Sequence, residues 1–314
     1  MAKILINDGI HPAGLKKLQE AGFDVDNIKI PQDELLAKLP EYNAICVRSA
    51  TKVRQDLIEA CPQLKVIGRG GVGLDNIDVD FAKTKNIAVC NTPAASSRSV
   101  AELAFAHLFS ISRFLYKSNR HMPSDGVAEF KALKKSYSKG FELKGKTLGI
   151  IGMGRIGQEA AKMALGLGMK VLAVDPFVEN VNLDLSINDQ SISIPLKTVD
   201  MDDMLKAADI ITLHIPFTGA PVLSTTEFSK MKDGVILINA ARGGTVDEDA
   251  LMEALNSEKV AAAGIDVFIN EPTPREDLLK HPNVSCTPHI GASTNEAQEN
   301  IGIELADKLI SVLS

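Results

Sequence analysis

The run Thr147–Ile151 followed by Gly152-Met153-Gly154-Arg155-Ile156-Gly157 constrains this chain more than any other feature. A short apolar stretch, then three spaced glycines, then the stripe Ile156, Ala160, Ala161, Ala164 and Leu167 predicts strand, tight turn and helix. In such a unit the first glycine makes the turn and the second admits a pyrophosphate to the backbone. The third lets helix and strand pack closely, and the helix N-terminus stabilises the phosphate charge. Asp175 ends the next run, Lys170–Val174, 23 residues after Gly152. A carboxylate there accepts hydrogen bonds from ribose hydroxyls and repels a 2′-phosphate, so the spacing predicts NAD rather than NADP.

The same pattern occurs earlier, in Gly68-Arg69-Gly70-Gly71-Val72-Gly73 after Leu64–Ile67. The matching offset lands on Asn91, whose neutral amide lacks the carboxylate. The first loop is therefore a decoy for the cofactor. Its glycines are expected to bring backbone N–H groups and Arg69 close to a ligand in the facing domain.

Strand-like runs alternate with helical patterns over most of the chain. The first series is Lys3–Asn7, Asn43–Val47, Leu64–Ile67 and Asn86–Cys90, with helical patterns at Pro12–Ala21, Gln32–Leu39 and Gln55–Ala60. The second is Thr147–Ile151, Lys170–Val174, Asp209–Leu213, Gly234–Ile238, Ala261–Val267 and Val284–Cys286. This alternation predicts two parallel sheets in two domains, which a length of 314 residues accommodates. Between them Ser99–Arg120 reads as one helix, too apolar to be free, packed between domains or against another subunit. Val181–Ile187 and Ser191–Leu196 alternate apolar and polar around Asn188-Asp189-Gln190, which predicts a hairpin. Asn295–Leu313 reads as a final amphipathic helix.

Composition excludes several classes. A formal charge of −6, no Trp and 3 Tyr argue against a nucleic-acid surface. No apolar run is long enough to span a membrane, and the N-terminus has no signal-peptide pattern. The four cysteines, Cys46, Cys61, Cys90 and Cys286, are scattered and read as small buried hydrophobes in a reducing, cytoplasmic setting. No metal site is expected.

Three strand ends in the second half carry chemistry. Arg242 follows the strand near Asn239 and is bounded by Ala240-Ala241 and Gly243-Gly244, which opens it to a ligand. Its planar fork suits a carboxylate. Glu271 closes the run from Asp266, and His289 follows Thr287-Pro288. A carboxylate holding one ring nitrogen favours the protonated imidazole, so His289 is the proton-transfer candidate. His214 sits at a strand end beside the expected cofactor, whereas His11, His107, His121 and His281 read as structural or exposed.

With these residues the chain resembles the D-isomer-specific 2-hydroxyacid dehydrogenases over nearly its whole length. The marks are Val47–Thr51, Gly68–Asn76, Ser99–Leu103, Gly152–Gly157, Ala241–Asp247 and Pro288–Thr294. The resemblance implies two doubly wound parallel-sheet domains of Rossmann/flavodoxin type with an active-site cleft between them that closes on ligand. It implies a discontinuous substrate-binding domain, 1–97 plus 290–314, and an NAD-binding domain, 98–289. It assigns Arg242 to the substrate carboxylate, His289 to the hydroxyl proton and Glu271 to tuning His289. Cofactor contacts are expected from Gly152, Gly154, Arg155, Ile156, Gly157, Asp175, His214, Ile215, Pro216, Ala240, Ala241, Asp266, His289 and Gly291. Substrate contacts are expected from Arg48, Ser49, Gly70, Gly71, Arg242 and His289, with Lys135 reaching a phosphate from a neighbouring subunit. A homodimer through 99–140 follows from the same likeness.

The expected reaction is NAD-dependent oxidation of 3-phosphoglycerate, the first step of serine synthesis. The alternatives are reduction of hydroxypyruvate or glyoxylate and, from another class, an NAD-sensing corepressor-like protein. Ser96 stands where related phosphoglycerate enzymes often have Asn, and the 180–197 hairpin replaces a shorter helical segment. Ending at Ser314, the chain is expected to lack the regulatory domain of longer relatives.

Overall fold

The computed structural model describes the backbone of residues 1–314 and every side chain except that of Ile187. The chain packs as two units, Met1–Ser99 with Ala292–Ser314, and Val100–Gly291. It passes from one to the other inside the helix Ser97–Ser112 and returns just before the helix Asn295–Leu313.

In the first unit, β1 (Lys3–Ile6), β2 (Asp24–Asp26), β3 (Ala44–Val47), β4 (Val66–Arg69) and β5 (Ala88–Asn91) form a parallel sheet in the order β2-β1-β3-β4-β5. Successive strand residues serve two different cores. Leu5, Ile45 and Ile67 pack with Leu35, Leu57 and Ile58 on one face. Ile4, Ile6, Cys46 and Val66 pack with Leu18, Leu305, Ala306 and Leu309 on the other. Burial on both faces is why these strands read as continuous apolar runs. The second core also explains the discontinuity. Leu305 and Leu309 are buried under β1, β3 and β4, each contributing about 1.5–3 kcal/mol. Gly14 and Gly302 let two helices meet backbone to backbone, since a Cβ on Gly14 would collide with the Gly302 carbonyl. β2 left no sequence signal, being three residues with one apolar side chain at a sheet edge.

The second unit contains β6 (Thr147–Ile151), β7 (Lys170–Val174), β8 (Asn180–Ile187), β9 (Gln190–Lys197), β10 (Ile210–Leu213), β11 (Val235–Asn239), β12 (Val260–Ile265) and β13 (Val284–Cys286). Six of them form a parallel sheet, β7-β6-β10-β11-β12-β13. Outside β7 the next Rossmann position shrinks to a single parallel bridge, Ala173 to Thr198. Ala101, Ala104, Leu108, Ala160 and Ala164 cover one face of this sheet, and Met204, Phe228, Leu251 and Leu278 cover the other. β8 and β9 form the expected antiparallel hairpin, whose Leu183 is buried in the first of these layers. The turn takes Asn188 at φ 53°, a conformation asparagine tolerates.

One expected element differs. The helix over Ser99–Arg120 stops at Ser112 and resumes at Leu115 after Phe114 turns left-handed, φ 55°. Apolar spacing continues across this break, so periodicity alone could not locate it. Among the described residues, no helix is long and apolar enough to cross a membrane.

Candidate active site

The sheet order puts the two chemical loops of the second unit at one place. β6 lies between β7 and β10, so successive connections leave in opposite directions and open a crevice at the strand ends. Gly152 follows β6 with φ 98°, and a Cβ there would meet the His214 carbonyl oxygen at 2.5 Å and Ile215 Cγ2 at 2.7 Å. A Cβ on Gly157 would collide with the Gly152 carbonyl, whereas one on Gly154 would meet no protein atom within 4 Å. Turn, approach and packing are thus divided among the three glycines as a pyrophosphate cradle requires. Gly154 caps the helix Arg155–Gly166, with Arg155 exposed and Ile156 half-buried at its start.

Asp175, at the end of β7, accepts from the Met153 amide at 2.8 Å and the Phe177 amide at 2.8 Å. The acid is therefore tied to the middle of the glycine loop. The decoy loop differs as its sequence suggested. No helix starts within it, and Asn91 donates to the Val72 carbonyl at 2.6 Å. His214 follows β10 with Nε2 3.2 Å from Thr212 Oγ1 and a buried Nδ1 that has no partner among the described residues. Burial pushes this imidazole down to about 4, so it is neutral near pH 7. Ile215 is half-buried and Pro216 exposed beside it. Glycine cradle, helix N-terminus and terminal acid together fit NAD.

The second cluster lies at the ends of β11, β12 and β13. Asn239 folds the first loop by accepting from the Ala241 amide at 3.1 Å and donating to Thr245 Oγ1 at 3.1 Å. Ala240 and Ala241 are buried, and Arg242 follows half-exposed with Nη1 2.6 Å from the Ala241 carbonyl. A Cβ on Gly243 would collide with the Phe268 carbonyl, so glycine lets this loop lie against the next one. There Glu271 accepts from the Phe268 amide at 2.9 Å and lies 2.7 Å from His289 Nδ1. Burial alone would raise the Glu271 pKa. The His289 and Phe268 hydrogen bonds and the charges of His289 and Arg242 outweigh burial and hold it below its ordinary value. An ionised Glu271 only accepts, so Nδ1 of His289 carries a proton, and in the neutral ring Nε2 is the acceptor.

His289 has φ 53°, a left-handed backbone costing a non-glycine residue about 1–3 kcal/mol. Asp266 holds it there. The Asp266 carbonyl accepts from the His289 amide at 2.9 Å. Its buried carboxylate accepts from Ile290 N at 2.8 Å, Gly291 N at 2.9 Å and Thr287 Oγ1 at 2.6 Å. Asp266, expected among cofactor contacts, thus spends its carboxylate on the loop that carries His289 and Gly291. Sequence reasoning missed this, and it also missed Glu248, which accepts from Ile269 N at 2.8 Å and steadies the loop before Glu271. Neither residue belongs to a motif with recognisable spacing. A cavity of about 370 Å³ adjoins the pair, lined by Phe268, Glu271, Pro272, Cys286 and His289 among others.

The expected substrate residues of the first unit form their own group. Arg48 and the exposed Ser49 and Ala50 follow β3. Asp8 accepts from the Arg48 amide at 2.7 Å and the Thr51 amide at 3.1 Å, while Asn76 donates to the carbonyls of both, at 2.7 and 2.6 Å. Gly70 and Gly71 follow β4, and the Gly71 amide donates to Thr92 Oγ1 at 2.8 Å. Lys135 lies exposed on the helix Phe130–Ser136, and no described hydrogen bond or ion pair joins it to the other candidates.

Comparison with known proteins gives the family. Residues 105–291 match the D-isomer specific 2-hydroxyacid dehydrogenase, NAD binding domain. The chain belongs to this family of NAD-binding dehydrogenases. It is 45% identical to a hydroxypyruvate reductase of Thermotoga maritima, over 99% of this chain and 98% of that protein. It is 42% identical to a D-3-phosphoglycerate dehydrogenase of Archaeoglobus fulgidus, over 99% of this chain but 57% of that longer protein. The NAD+-bound 3-phosphoglycerate dehydrogenase of Entamoeba histolytica superposes with a TM-score of 0.78 at 26% identity, covering 99% and 94% of the two chains.

Proposed function

We propose that the chain interconverts D-3-phosphoglycerate and 3-phosphohydroxypyruvate. The observation that carries the reaction type is the Glu271–His289 pair with Arg242 beside it at the ends of adjacent strands. Bound NAD supplies the hydride acceptor. His289 takes the C2 hydroxyl proton at Nε2, and Glu271 stabilises the imidazolium that results. Two electrons leave C2 with the hydride as the proton leaves its oxygen, so the alcohol becomes a ketone. Arg242 grips the substrate carboxylate and draws charge from the C2 oxygen. Glycine loop, Asp175 and the 214–216 and 240–241 segments hold the cofactor.

The first unit serves as the substrate-binding domain through Arg48, Ser49, Gly70 and Gly71. The hydrogen bonds that fasten Arg48 and Thr51 support this reading, because they leave the exposed Ser49-Ala50 tip rigidly presented. The exposed apolar residues Phe109, Leu115, Met122, Val127 and Phe130 support a homodimer through 99–140.

A second reading is reduction of hydroxypyruvate, favoured by the 45% identity to a reductase of nearly equal length. The chemistry at C2 is the same, and only a phosphate grip separates the two. Parallel assays test both: 3-phosphoglycerate, D-glycerate and D-lactate with NAD, and hydroxypyruvate and glyoxylate with NADH. The phosphate reading expects the highest kcat/KM with 3-phosphoglycerate. Preference for hydroxypyruvate selects the second reading, and NADH binding without any turnover removes both.

A further inference from the structure

We propose that His107, through Thr287 and Asp266, is a positioning residue for the His289 loop, a role resting on the reading of His289 as the proton-transfer group. His107 lies on the helix Ser97–Ser112, far from His289 in sequence, and is 3% exposed. Its Nε2 is 2.9 Å from Thr287 Oγ1 and its Nδ1 is 3.0 Å from Ser285 Oγ. Thr287 has one hydroxyl proton, and that proton goes to Asp266 Oδ1 at 2.6 Å. Thr287 can therefore only accept from His107, so Nε2 carries the imidazole proton and Nδ1 accepts from Ser285. Every link in the chain then has one direction: His107 to Thr287 to Asp266.

The far end of this chain is the Asp266 carboxylate, which takes the amides of Ile290 and Gly291, the two residues after His289. A non-glycine residue at φ 53° persists only where its neighbours over-determine it. Asp266 supplies those bonds, and Thr287 fixes the carboxylate's rotation. Room for His107 is built into the sheet. A Cβ on Gly264 would meet His107 Cβ at 2.6 Å, so glycine in β12 admits the imidazole. Burial lowers the His107 pKa and so favours the neutral ring with its proton on Nε2, while the Asp266 charge opposes this.

His107→Phe keeps the ring and removes the donor, whereas His107→Gln restores an N–H close to the Nε2 position. Kinetics of both are measured in the intact chain with 3-phosphoglycerate and NAD and with hydroxypyruvate and NADH. NADH affinity is read from cofactor fluorescence. His107→Phe should lower kcat by about tenfold or more, because small displacements of a reacting group are expensive. NADH affinity should stay within about twofold of wild type, and His107→Gln should recover most of the turnover, as expected when one hydrogen bond carries the effect. Thr287→Val should reproduce the loss, and combining it with His107→Phe should add little, since both break one chain.

Equal loss of kcat in the Phe and Gln variants overturns the proposal, as does full turnover in His107→Phe. Should His107→Phe fail to fold, wild-type turnover in Thr287→Val overturns it instead. His289→Asn is run alongside. Its retention of turnover refutes the reading of His289 itself, an outcome distinct from failure of the His107 series.

Discussion

His289 Nδ1 lies 2.7 Å from Glu271 Oε2, although the two residues leave different strands and are separated by the helix Glu276–Lys280. The pairing sets which ring nitrogen is open. Because Glu271 is held ionised by His289, the Phe268 amide and the Arg242 charge despite its burial, Nδ1 carries a proton and the neutral ring presents Nε2 as its acceptor.

Removing that acceptor should stop chemistry more than binding. His289→Ala is expected to lower kcat by about 10²–10⁴-fold, the range for loss of a general acid–base group. NADH affinity should fall far less than kcat, and comparable losses in kcat and NADH binding would argue for a structural role.

Cofactor choice should respond to Asp175 and not to Asn91. Asp175→Ala removes the negative charge at the ribose end and the acceptor for Met153 N, so NAD affinity should fall and NADP discrimination relax. Asn91→Ala removes a bond to Val72 O in the other unit and should leave the NAD/NADP ratio unchanged. Equal shifts would reverse the assignment of the two loops.

The glycines of the cofactor loop should separate folding from binding. A methyl at Gly154 meets nothing within 4 Å, so Gly154→Ala should keep Tm and weaken NADH. At Gly157 the methyl collides with the Gly152 carbonyl, and Gly157→Ala should lower stability by about 1–3 kcal/mol as well. Melting curves with and without NADH distinguish the two variants.

Acid should destabilise the second unit in a defined window. The His214 pKa falls from 6.5 to about 4 on burial. Below 6.5 the unfolded chain takes up the proton first, so stability is complete above that value and declines as pH falls toward 4. The full effect is up to about 3 kcal/mol. His214→Phe should flatten this part of the stability–pH curve, and an unchanged slope would remove His214 as its source.

Much of the second unit was legible because its motifs are local. Gly152, Gly154, Gly157 and Asp175 act through turn geometry and strand alternation, which sequence spacing encodes directly. The hairpin was legible for the same reason, its alternation of period two and its Asn188 turn being local properties. Phe114 was not, since apolar spacing runs on through the point where its backbone turns left-handed. Nor were Asp266, Glu248, Asp8 and His107, whose roles depend on partners tens to hundreds of residues away. His107 read as a structural histidine, and nothing in its helix points to Ser285 or Thr287.

The sequence alone predicted the alternating elements, which of two glycine loops suits the cofactor, a preference for NAD and the candidates Arg242, Glu271 and His289. Those follow from short-range patterns, because backbone conformation and residue chemistry are set within a few positions. Only the tertiary structure decided that Glu271 meets Nδ1 rather than Nε2, that Asp266 serves the loop, and that Asp8 and Asn76 fasten Arg48 and Thr51. Hydrogen bonds demand contact within about 3 Å and a specific direction, and parallel-sheet order alone brings distant strand ends that close.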